Sequence, residues 1–154
     1  MNIQLYTDGA ARGNPGPGGY GVVLLYGQHR KELSKGYRRT TNNRMELMAV
    51  IEGLKAISKK EMPVTIYSDS KYVVDSVSKG WLKTWIQTGF KGGKKNRDLW
   101  EIYHELSQAR QIKFVWVKGH ADNHHNNRCD TLATEAADGT GLEADEDYEN
   151  GIND

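Results

Sequence analysis

The sequence predicts an α/β fold in which a mixed β-sheet carries helices on its faces. Three observations predict it: three strand-like segments follow one another at the start, one long amphipathic helix comes next, and strands then alternate with helices. A direct run of strands pairs antiparallel, whereas strand–helix–strand alternation builds parallel neighbours.

Ile3–Thr7 alternates apolar and polar side chains and reads as a strand, followed by a Gly/Pro-rich turn region over 9–21. Gly21–Tyr26 is a second, more apolar strand, and Lys31–Arg39 pairs with it across the turn Gly27-Gln28-His29. A helix begins near Thr41-Asn42-Asn43, which are good capping residues. Within it Leu47, Val50, Ile51, Leu54 and Ile57 fall on one apolar stripe. Pro63 restarts the chain, and Val64–Ser68 is the next strand. Lys71–Lys79 and Gly80–Thr88 read as short helices split at Gly80, 89–96 as a basic loop and Arg97–Ala109 as a longer helix. Ile112–Val117 is the last strand and Asn126–Ala137 the last helix. Residues 1–138 therefore form one domain, and the acidic stretch 139–154, without apolar periodicity, is expected to be a disordered tail.

The net charge of +1 conceals an asymmetry. Residues 1–134 hold all 21 Lys and Arg against 12 acids, a balance of +9, while residues 135–154 carry eight acids and no base. So basic a body suits an acidic partner such as a nucleic acid, because lysines near phosphates release condensed counterions. No apolar run approaches the roughly 18 residues of a membrane span, and the start reads straight into a strand with no basic leader. Cys129 is the only cysteine, which excludes an internal disulfide and fits a reducing compartment, so a cytoplasmic protein is expected. His120, His124, His125 and Cys129 have spacings that suggest zinc, but they lack a second cysteine, and no structural zinc is expected.

One short pattern recurs. Ile3-Gln4-Leu5-Tyr6-Thr7-Asp8-Gly9 and Val64-Thr65-Ile66-Tyr67-Ser68-Asp69-Ser70 each run a strand into a hydroxyl residue, an Asp and a small residue. If these strands are neighbours, Asp8 and Asp69 face each other, and paired carboxylates demand a shared proton or a cation. Oxygen ligands of that kind favour Mg²⁺ or Mn²⁺. The alternative is that each Asp merely ends its strand and caps a turn. Glu46, one turn into the first long helix, can point along the edge of the packed face toward the strand ends, or serve Asn43 in a capping box. Asp130 is a further candidate, with the alternative of a first-turn acid favoured by the helix dipole.

Five stretches in order over residues 7–133 carry a resemblance: TDGAARGNPGPGGYG at 7–21, TTNNRMELMA at 40–49, YSDS at 67–70, WVKGHA at 116–121 and RCDTLA at 128–133. In these the chain resembles bacterial ribonuclease H of the type 1 class. The resemblance implies a ribonuclease H-like fold, with a five-stranded mixed sheet of three antiparallel then two parallel strands flanked by helices. It implies an endoribonuclease, a monomer, that hydrolyses the RNA strand of RNA–DNA hybrids and leaves 5′-phosphate and 3′-hydroxyl ends. Asp8, Glu46, Asp69 and Asp130 match the family's metal-holding acids, and His120 matches its loop histidine. The implied cofactor is Mg²⁺, with Mn²⁺ as substitute and two ions per site when substrate is bound, since paired divalent ions activate water and neutralise a leaving oxygen.

Substrate contacts follow by the same route. Gly9, Asn14 and Asn43 match family residues that contact the RNA strand, and Arg44 lies beside Asn43 within reach of the sugar edge. Thr41 and Asn14 correspond to a pocket for a DNA phosphate. Lys71 stands where the family often has Gln and suggests an added phosphate contact. Residues 79–97 carry Lys83, Lys91, Lys94 and Lys95 among other bases and no acid, with Trp81 and Trp85 at i, i+4; this basic, aromatic segment resembles the family's protrusion for the DNA strand. Trp85 is read equally as a core residue. Two other functions stay open at this point: a DNA nuclease or polynucleotidyl transferase of the same fold, and a non-catalytic hybrid-binding module.

Overall fold

The computed structural model describes residues 2–92, 95–118 and 123–151. The elements run β1 (Ile3–Ala11), β2 (Gly16–Tyr26), β3 (His29–Thr40), α1 (Asn42–Lys55), β4 (Val64–Ser68), α2 (Lys71–Ser78), α3 (Trp81–Gln87), α4 (Arg97–Ser107), β5 (Ile112–Trp116), α5 (His124–Ala137) and α6 (Glu146–Glu149). The strands form one sheet in the order β3-β2-β1-β4-β5. β1–β2 and β2–β3 are antiparallel, and β1–β4 and β4–β5 are parallel, as the resemblance implies.

Alternation along β1 sends Ile3 and Leu5 to one face of the sheet and Tyr6 to the other. The first face meets Leu47, Ile51 and Leu54 of α1 and the fully buried Trp100 of α4. Each such aliphatic side chain contributes about 1.5–3 kcal/mol when removed from water, so this layer fixes α1 on the sheet. The second face is smaller, with Tyr6 and Val23 packed against Cys129 of α5. Among the described residues, no helix is long and apolar enough to cross a membrane.

The glycine-rich stretch 9–21 is mostly strand, not turn: β1 runs to Ala11 and β2 starts at Gly16. The physical reason is helix approach. A Cβ on Gly9 would collide with the backbone nitrogen of Glu46 in α1, and one on Gly21 with the carbonyl oxygen of Cys129 in α5. These two glycines let both helices lie directly on the strands.

The expected disordered tail is instead docked over residues 139–151. Glu143 bridges to Tyr37 of β3, its carbonyl accepts from Arg38 N–H at 2.8 Å, and α6 follows. Asp145 is the anchor: its carboxylate accepts from Arg44 Nε at 2.7 Å, Arg44 Nη2 at 3.0 Å and Thr40 Oγ1 at 2.7 Å. Arg44 is 1% exposed, so it must be compensated, and the acidic segment supplies the charge together with Asp98 of α4. Arg38–Glu149 and Lys35–Glu143 add exposed pairs that contribute little each.

Candidate active site

The parallel register of β1 and β4 pairs Tyr6 with Tyr67, so two residues further along both chains Asp8 comes beside Asp69. Asp8 lies inside β1, opposite Gly21, and Asp69 immediately follows β4. Glu46 comes from α1. Thr41 caps that helix by accepting from Arg44 N–H at 3.2 Å, so the capping-box position belongs to Arg44 and Glu46 is free of that role. The Gly9 contact holds the backbone of Glu46 against β1.

One carboxylate oxygen each of Asp8, Glu46 and Asp69 lies within 4.8 Å of the others. Asp8 and Glu46 are each only 6% exposed. The N–H of Gly9 donates to Asp8 Oδ1 at 2.9 Å, while Glu46 Oε1 and Asp69 Oδ1 are buried without any hydrogen-bond partner. Burial, reinforced by the charge of Asp69, pushes the Asp8 carboxyl up to about 8. The Gly9 N–H opposes that rise, and Asp130 adds to it. Glu46 is likewise raised well above the ordinary carboxyl range, first by burial and then by Asp8 and Asp69. Orphaned, mutually repelling carboxylate oxygens at this spacing are the donor set of a hard divalent cation, and the trio fits one.

Asp130 lies on α5, which starts at His124 with Asn123 as its cap. It is therefore past the first turn, and the dipole no longer accounts for it. The contact of Gly21 with Cys129 sets this part of α5 over the strand rung of Asp8. Asp130 is half-buried and its charge reaches Asp8, although it is not one of the tight trio. His120 lies outside the described residues. The His125 ring lies tilted against Tyr6 with ring centroids 4.8 Å apart, and Cys129 of α5 is packed in the core, so neither points to zinc.

The predicted substrate contacts separate into groups. Asn14 Oδ1 accepts from Asn42 N–H at 3.0 Å, which brings Asn14, Thr41 and the exposed Asn43 together at the N-terminus of α1. The positive dipole end there suits an anion. Gly9 is buried, with its N–H committed to Asp8. Arg44 is corrected: its guanidinium is buried between Asp98 and Asp145 and does not reach the surface. Trp85 is half-buried, its ring edge-on to Trp100 at 6.0 Å and tilted against Phe90 at 6.4 Å, which supports the packing role that the sequence equally allowed. Trp81 is 44% exposed with Lys79 5.6 Å above its ring, and Lys83, Lys91 and Lys95 are exposed around it or beyond it in the chain. Lys94 lies outside the described residues. Lys71 is exposed, with its ammonium 4.4 Å from the ring centre of Trp116. Trp116 escaped sequence reasoning, because an aromatic at a strand end reads as packing; its 42% exposure is the signal that structure adds.

Comparison with known proteins bears on this geometry. The family model described as RNase H matches residues 1–138. A protein named ribonuclease H from Syntrophus aciditrophicus (strain SB) is 57% identical over 150 residues, covering 95% of this chain and 86% of that protein. Among solved structures, LC9-RNase H1, described as a type 1 RNase H with the type 2 active-site motif, superposes with a TM-score of 0.79 at 31% identity, covering 88% of this chain and 71% of that one. LC11-RNase H1, solved in complex with an RNA/DNA hybrid, gives a TM-score of 0.69 at 28% identity and covers 89% and 97%.

Proposed function

The chain belongs to the ribonuclease H family, and from that membership we propose that it is an endoribonuclease that hydrolyses the RNA strand of RNA–DNA hybrids, leaving 5′-phosphate and 3′-hydroxyl ends. The observation that carries the reading is the buried trio Asp8, Glu46 and Asp69, with two of its oxygens unpartnered. We assign it Mg²⁺, with Mn²⁺ as substitute and two ions when hybrid is bound, held by these three residues and Asp130. When bound, the ions activate the attacking water and neutralise charge on the scissile phosphate and the leaving oxygen.

The protein's own residues divide the remaining work. Burial of Asp8 and Glu46 excludes water from one side of the reacting phosphate and strengthens each charge there. His120 exchanges a proton at the leaving 3′ oxygen, for which an imidazole near neutrality is suited. Asn14, Asn43 and the backbone at Gly9 meet the RNA strand, where side-chain amides discriminate 2′-hydroxyls. Thr41 and Asn14, at the positive dipole end of α1, hold a DNA phosphate. Trp81, Lys83, Lys91, Lys94 and Lys95 carry the DNA strand further along, and Lys71 supplies a cation beside Asp69. A monomer in the cytoplasm is the setting that the single buried cysteine and the family suit.

The test is cleavage of one end-labelled RNA alone, paired with RNA and paired with DNA, beside an all-DNA duplex, each with Mg²⁺ and with a chelator. Cutting confined to the RNA of the hybrid and lost on chelation is expected. Asp69→Asn is expected to abolish it while hybrid binding persists; unchanged turnover would sink the metal assignment, and cutting of the DNA duplex would move the chain to another activity of this fold.

A further inference from the structure

Lys71 is the first residue of α2, directly after the cap Ser70. A cation there opposes the helix macrodipole, and the first turn holds no acid to offset it. Among the described residues Lys71 has no ion pair; what it has is Trp116, over whose ring its ammonium sits at 4.4 Å. Helix stability thus does not explain this lysine.

Trp116 is equally poorly explained as packing. It ends β5 beside Ser68 of β4, one residue from Asp69, and leaves 42% of its surface exposed. The indole is nevertheless held, because its Nε1–H donates to the carbonyl oxygen of Asp69 at 3.2 Å. An exposed ring fixed to the backbone of a carboxylate residue, and carrying a cation, is a prearranged surface.

Resting on the hybrid-cleaving reading above, we propose that Trp116 and Lys71 form a two-part contact for the RNA strand, the indole as a platform for a nucleotide and the ammonium for the adjoining phosphate. The RNA strand is the one addressed because the pair abuts Asp69, where that strand is cut. Aromatic rings take any base or sugar, so the contact adds affinity without sequence preference. The indole also holds Lys71 in place, and a preset cation gives more per phosphate than a mobile one.

The experiment measures hybrid affinity against salt in chelator, where nothing is cut, and then KM and kcat in Mg²⁺. Lys71→Met is expected to reduce the salt slope by roughly 0.7–0.9, one phosphate contact. Trp116→Leu is expected to reduce the slope similarly and to raise KM about fivefold, the scale of one lost stacking contact, with the rate at saturation falling less. The double variant should lose no more slope than either single one, and Trp116→Phe, which keeps a ring under the ammonium, should retain most of it. Unaltered slopes in Lys71→Met overturn the proposal, even if the leucine variant fails to fold. Equal loss in the phenylalanine and leucine variants also overturns it, by assigning the effect to the Asp69 hydrogen bond. Failure of the unaltered protein to bind hybrid at all would instead remove the functional reading on which the proposal rests.

Discussion

Replacing Asp8 by Asn should stabilise the metal-free protein while destroying cleavage. The Asp8 carboxyl is pushed from its ordinary 3.8 up to about 8 by burial and by Asp69. A carboxyl raised in the folded state binds more protons there than in the unfolded chain. Stability is therefore untouched below pH of about 4, falls as pH rises through the window from about 4 to 8, and stays low above it. For an isolated group a rise of about four pH units corresponds to roughly 6 kcal/mol. Asn has no charge to bury or to repel Asp69, and after a discount for relaxation among the three neighbouring carboxylates a gain of ~2 kcal/mol is expected. For a chain of this length that raises Tm by roughly 4–8 °C. Asn keeps an oxygen for the Gly9 N–H, so the change isolates charge from shape. Thermal unfolding in chelator at pH 8 and pH 4 is the assay, with hybrid cleavage in Mg²⁺ beside it. The gain should appear at pH 8, vanish near pH 4, and shrink when Mg²⁺ stabilises the unaltered protein by binding to its folded form. A Tm at pH 8 that falls, or a gain equal at both pH values, would refute the electrostatic reasoning.

Gly9→Ala drives a methyl group into the backbone of α1 at Glu46; a loss of about 3 kcal/mol, the upper part of the overpacking range, with weaker cleavage is expected from urea denaturation and kinetics, and an unchanged protein would mean α1 can retreat freely. Asp145→Ala strips Arg44 of one of its two carboxylate partners and leaves a buried cation undercompensated; about 3 kcal/mol of stability should be lost, measured by the same denaturation, and a loss below about 1 kcal/mol would mean that Asp98 alone suffices. Neutralising the exposed Lys91 and Lys95 together should lower the salt slope of hybrid affinity by nearly two, at about 0.9 per phosphate contact, with little effect on saturated turnover; an unaltered slope would remove this segment from the interface.

Much of the site was readable because the chemistry repeats in the chain. Two strand-like segments each leading into a hydroxyl residue and Asp give Asp8 and Asp69, and the α1 stripe places Glu46 next to its packed edge. What could not be read depends on contacts between distant segments. The glycines of 9–21 look like turn residues, since sequence does not show that α1 and α5 press on them. Arg44 looks like a surface cation until Asp98 and Asp145, 54 and 101 positions away, are seen around it. The acidic segment looks solvated for the same reason: its apolar content is low, and its docking is anchored by the buried Arg44–Asp145 pair and contacts with β3, none of which leaves a periodicity in the sequence. Trp81 and Trp85 share a spacing that suggests one common face, yet Trp81 opens the helix at the surface and Trp85 meets Trp100.

These contacts explain how three repelling carboxylates are kept together. Each rides on an element anchored away from the site: β1 and β4 by their shared ladder, α1 by its apolar stripe on one side and the Arg44 network on the other. Repulsion among Asp8, Glu46 and Asp69 acts to push α1 off β1, and the close approach at Gly9 leaves no flexible side chain between them to absorb a shift. The Arg44 network lies at the start of α1, less than one turn from Glu46, so its loss loosens the helix where the repulsion acts. The docked C-terminal segment is thereby coupled to the site through Asp145 without touching the carboxylates. Destabilisation by Asp145→Ala and by the charge of Asp8 should accordingly not add: in metal-free protein at pH 8, Asp8→Asn should recover less stability in the Asp145→Ala background, where a loosened α1 lets the carboxylates move apart, than in the unaltered one.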